Sequence, residues 1–147
     1  MKNFVLACTA LLLLAAVDAT LAHNARATLD AAGNKATFTA LARITCFDDG
    51  SGAPSALYVR VRDNSPVVAG LLLTMQVLKG AQALSISDTV SADANYSEPL
   101  QLNGGAGVYT VLLNKTAAGA RNFDIEWHCL TTTGDHTGTD ILVDQFK

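Results

Sequence analysis

Three side chains carry most of the chemistry this sequence offers: His23, His128 and His136, the only histidines in the chain. Imidazole nitrogens bind borderline transition metals. Tetragonal sites of nitrogen and oxygen favour Cu(II), which also heads the divalent affinity order. His23 lies in "TLAHNARA" (residues 20–27), where an apolar leader gives way to polar chain. A cut between Ala22 and His23 makes it the first residue, and its α-amine then joins a ring nitrogen in one chelate. Without that cut the same nitrogen is an amide, a poor ligand. A competing cut after Ala19 starts the chain at Thr20.

His128 and His136 lie close together in "WHCLTTTGDHTGTD". His136 falls in a Gly/Thr-rich turn and is the expected partner of His23. Both have ordinary alternative roles. Histidine and aspartate occur in such turns for turn reasons alone, and His128 alternates with Asp124 and Glu126 on a polar strand face, where a histidine is usually solvated. The one methionine beyond the leader, Met75, sits in an apolar strand and reads as core. A Cu(I) site built on thioethers is therefore not expected.

The elements that must position these residues read as strands. In "NFDIEWHC" the residues Phe123, Ile125, Trp127 and Cys129 share one face, and Asp124, Glu126 and His128 the other. The same period runs from Lys35 to Cys46 and through "ALYVRVR", where Leu57, Val59 and Val61 point inward. "LLLTMQVL" reads as a central strand, and "ALSIS", "GVYTVLL" and "DILVDQF" as further strands. Turn signals separate them: "DDGSGAP", "RDNSP", "NGGAG", "TAAGA" and "TTTGDHTG". No segment has a helical stripe. The expectation is an all-β fold, a single immunoglobulin-like antiparallel β-sandwich of Greek-key type with about seven or eight strands.

Residues 1–22 read as a signal peptide and residues 23–147 as the β-sandwich domain. Lys2 precedes the apolar "FVLACTALLLLAAV", and small residues follow. That run is short for a membrane span and lacks a basic flank. Cys8 lies too early in it for a lipoprotein box. Export to the periplasm or the medium implies an oxidising compartment, where the remaining pair, Cys46 and Cys129, is expected to bridge. Both point to the core side, and closing so long a loop is worth ~4 kcal/mol in the chain-entropy model. The net charge is −3, without a basic patch, which argues against nucleic acid. No apolar segment beyond the leader is long enough to span a membrane. "NYS" at Asn95 and "NKT" at Asn114 are glycan acceptors only in a eukaryotic secretory pathway.

Common enzyme signatures are missing. The sequence holds no Gly-x-Ser-x-Gly elbow, phosphate-binding glycine loop, zinc-protease helix or CxxC, and its acidic residues are scattered.

The order "GVYTV" (residues 107–111), "FDIEWHCLTTTGDH" (123–136) and "TGTDILV" (137–143) resembles the C-terminal part of small periplasmic copper-binding proteins of the CopC type. The resemblance implies an immunoglobulin-like sandwich whose mature chain begins with histidine. It implies His23 as amine and imidazole donor, His136 as the opposing imidazole, and Asp135 as a carboxylate ligand. The chain departs from that pattern at Asp135, which directly precedes His136 where the family separates the two by one residue. The cysteine pair is a further departure.

The reading that follows is an exported protein, not an enzyme, that stores, buffers or delivers copper(II) through His23, His136, Asp135 and His128. Its partners would be the copper ion and a periplasmic or membrane copper-handling protein. Two alternatives stand beside it. One is a metal-free exported module for adhesion, envelope or carbohydrate binding, for which Tyr58 and Tyr96 are the main aromatic candidates. The other is a small copper-dependent oxygenase using the same histidines.

Overall fold

In a computed structural model, which describes residues 23–147, alternation of apolar and polar residues builds nine antiparallel strands. They are β1 (His23–Leu29), β2 (Ala40–Phe47), β3 (Ala56–Asp63), β4 (Leu73–Lys79), β5 (Gln82–Asp88), β6 (Leu100–Leu102), β7 (Gly107–Lys115), β8 (Arg121–Leu130) and β9 (His136–Phe146). The leader expected over residues 1–22 lies outside the described residues. No described helix is long and apolar enough to cross a membrane.

The strands form two layers. One runs β1-β8-β3-β6 and the other β5-β4-β7-β2-β9. Inward residues of both layers make one core: Ile44, Leu57, Val59, Val61, Met75, Val77, Tyr109, Val111, Ile125 and Trp127 are all buried. The all-β sandwich expected from the period-2 pattern is the fold observed.

Several elements differ in detail from expectation. The alternation from Lys35 to Cys46 becomes strand only at Ala40. Before it the chain is held in turns by Asp30, whose carboxylate accepts from the Asn34 and Lys35 amides at 3.1 and 2.9 Å. "LLLTMQVL" lies one strand in from the edge, beside the edge strand β5, and alternates: Leu73, Met75 and Val77 are buried while Thr74 and Gln76 are only partly so. Two strands, β1 and β6, lie where no strand was expected. His136 opens β9 rather than sitting in the turn before it.

The inward rows of β3, β7 and β8 run past their apolar residues into Asp63, Lys115 and Arg121. Buried charges require partners, and each has one. The Lys115 Nζ lies 2.7 Å from the Asp30 carboxylate and also donates to the Lys35 carbonyl at 2.6 Å. Arg121 donates to Asp63 at 3.2 Å and to the Pro66 carbonyl at 2.8 Å. Burial pushes the Asp30 carboxyl up, but Lys115 and three backbone N–H donors outweigh it and hold it well below the usual range.

Cys46 of β2 and Cys129 of β8 are disulfide-bonded across the layers, 83 residues apart in sequence. A loop of that length is worth about 4–5 kcal/mol in the chain-entropy model. Urea unfolding with and without reductant is expected to show a loss of about that size, read as a lower midpoint. An unchanged midpoint in fully reduced protein would contradict it.

Candidate metal centre

One edge of β8 is shared by two strands. β1 runs antiparallel along it from Leu29 opposite Arg121 to His23 opposite Trp127. β9 takes over at the far end, with Thr137 opposite Cys129 and His136 opposite Leu130. Their ends meet across His128, the one residue of this stretch of edge that neither strand faces. β1 therefore delivers His23, and β9 His136, to the two sides of His128. The His128 and His136 rings stack with centroids 4.1 Å apart at 21°. The His23 ring lies 6.3 Å from that of His128 and 6.1 Å from that of Trp127.

β9 holds this position because it crosses between layers immediately afterwards. Two residues pair with β8, and from Gly138 onward the strand pairs with β2. The crossing needs a glycine: a Cβ at position 138 would lie 2.5 Å from the Phe47 ring and 2.7 Å from its carbonyl oxygen. The Thr137 hydroxyl lies 2.6 Å from the Gly52 carbonyl, and the Thr139 hydroxyl accepts from the Cys129 amide at 3.1 Å. The disulfide at Cys129 fixes the same point from the core side.

His128 is only 6 % exposed, so the solvated side chain expected on that polar face is in fact buried. Its Nε2 lies 3.2 Å from Glu126 Oε1, and Glu126 Oε2 accepts from Arg60 at 2.9 Å. Its Nδ1 is buried with no hydrogen-bond partner among the described residues. Burial pushes the His128 imidazole below its ordinary value, and His136 and His23 add to this against the opposing pull of Glu126. The ring is therefore neutral at neutral pH. Burial raises the Glu126 carboxyl, but Arg60 and His128 prevail and keep it ionised. A cavity of about 280 Å³ opens beside the ring, lined by Tyr58, Glu126, His128, Leu130, Gly134 and His136.

Asp135 does not join the cluster. Its carboxylate accepts from the Thr133 hydroxyl at 2.6 Å, and its backbone N–H donates to Thr131 Oγ1 at 3.1 Å, so it closes the turn before β9. The carboxylate at the histidines is Glu126. Its place beside His128 is legible in the alternation Asp124, Glu126, His128, which sets both side chains on one strand face.

The rest of the outer face continues as paired charge. Asp124 accepts from Arg26 at 2.6 Å and from Arg62, and the Arg60 and Arg62 guanidiniums lie over the Tyr96 ring at 4.5 and 4.8 Å.

The donor types fit a nitrogen-rich metal site, and the unpartnered Nδ1 of buried His128 is the observation that favours one. As arranged, no group of three or more His, Cys, Asp or Glu among the described residues encloses a metal position. The stacking explains this, since imidazole lone pairs lie in the ring plane and those of stacked rings do not converge. His136 and His23 are exposed, and His128 is not. Compared with known protein families, curated protein sequences and solved structures, the chain matches none.

Arg26 first, then Arg62, holds the Asp124 carboxyl well below the usual carboxylate range. A lowered folded value contributes stability above the ordinary value near pH 4, and that stability is lost as pH falls through the folded one. Asp124→Asn is expected to cost about 1–2 kcal/mol at pH 7, with the gap to the wild type closing on acidification below about pH 4. Denaturant melts between pH 2 and 7 measure it, and a gap independent of pH would contradict the assignment.

Proposed function

We propose that this chain is an exported copper(II)-binding protein whose site is the cluster of His23, His128 and His136. The observation that carries the reading is the convergence of all three histidines of the chain on one end of the sandwich, brought there by three different strand segments. Cleavage between Ala22 and His23 would add the α-amine as a fourth nitrogen. Bound copper would supply a redox-capable cation held by nitrogen donors. The chain's own part is to place those donors and to keep His128 neutral by burial, with Trp127 beside His23 and Tyr58 beside His128. Binding would require His136 to turn off the His128 ring.

The role that follows is storage, buffering or delivery to a periplasmic or membrane partner rather than catalysis. A metal-free module that binds carbohydrate through aromatics has less support. Tyr96, one of its two aromatic candidates, is covered by two guanidiniums and offers no open platform.

Trp127 is the only tryptophan and lies beside His23, so bound Cu(II) should quench its fluorescence. Titration of the chain beginning at His23 is expected to saturate at one Cu(II). His136→Ala and His128→Ala should each weaken binding at least tenfold. Affinity should fall as pH drops, because protons compete with the metal for the amine and imidazole lone pairs. Equal affinity in the histidine variants would overturn the proposal.

A further inference from the structure

We infer that Glu126, held by Arg60, is a positioning residue that fixes His128 in its Nε2–H form and leaves Nδ1 as the nitrogen that binds the metal. The inference rests on the copper reading above and concerns which atom of His128 serves it.

A neutral imidazole carries one proton, and an ionised carboxylate only accepts. The contact of His128 Nε2 with Glu126 Oε1 at 3.2 Å therefore places the proton on Nε2 and the lone pair on Nδ1. Nδ1 is the nitrogen with no partner, in a side chain 6 % exposed. A buried acceptor left open is costly, and a metal ion would satisfy it. The opposite form would set a bare Nε2 against a carboxylate and bury an unpaired Nδ1–H, losing on both sides.

Glu126 is itself fixed. Its second oxygen takes the Arg60 N–H at 2.9 Å, and Arg60 rests on the Tyr96 ring. The sheet register sets Arg60 opposite Glu126 and Tyr58 opposite His128, so the relay runs along one face of paired strands. A carboxylate on the far nitrogen of a ligating histidine selects the protonation form and orients the ring. Removing such a partner typically weakens metal binding by about 10–100-fold.

Two measurements test this. In metal-free wild type, long-range ¹H–¹⁵N correlation at pH 7.5 is expected to show His128 as the Nε2–H form. An Nδ1–H form, or an imidazolium, would overturn the inference whatever copper does. In the second, Cu(II) affinity is read by Trp127 quenching, with folding checked by thermal melts. Glu126→Leu is expected to lose about 10–100-fold, and Glu126→Gln, which keeps an acceptor oxygen, should restore most of it. If wild type binds copper and Glu126→Leu binds equally well, the positioning role fails and the copper site stands. If wild type binds no copper, both fail.

Discussion

The histidine end of this protein depends on a single strand edge. β8 offers one side to β1 and β9 in succession, and the two meet across His128. A strand edge has a fixed repeat, so the register that puts His23 opposite Trp127 and His136 opposite Leu130 also sets the distance between them. Two features keep β9 from sliding. Gly138 lets it cross against Phe47 where no side chain fits, and the Cys46–Cys129 bridge ties β8 to the other layer at the residue after His128.

Electrostatics on the outer face serve the same end. Asp124 is matched by Arg26 and Arg62 and Glu126 by Arg60, and the Arg60 and Arg62 guanidiniums lie over the Tyr96 ring. The carboxylate nearest the cluster is thus committed to Arg60 and His128. Three imidazoles can sit together because the central one is buried and neutral.

How much of this was legible in the sequence varies with the kind of constraint. The inward rows of β3, β7 and β8 follow directly from alternation, because one face must be apolar to bury. Cys46 and Cys129 share that inward parity, so their bridge was readable too. β1 was not recognised, because its inward residues, Ala25 and Ala27, are small and mark the pattern weakly. Without β1, nothing in the sequence places His23 beside Trp127. The polar composition of its strand face predicts a solvated His128, while pairing with Tyr58 and stacking with His136 bury it. The resemblance implies Asp135 as a ligand although its spacing departs from the family pattern, and the hydrogen bonds of the Thr131–Asp135 turn engage it there.

The central claim is that copper(II) is held by His23 as a free N-terminus together with His128 and His136. Native mass spectrometry tests it most directly, comparing the chain that begins at His23 with one that begins at Thr20, each given one equivalent of Cu(II). The account predicts one retained copper on the first and none, or only weakly held copper, on the second. Equal retention by both chains would contradict it.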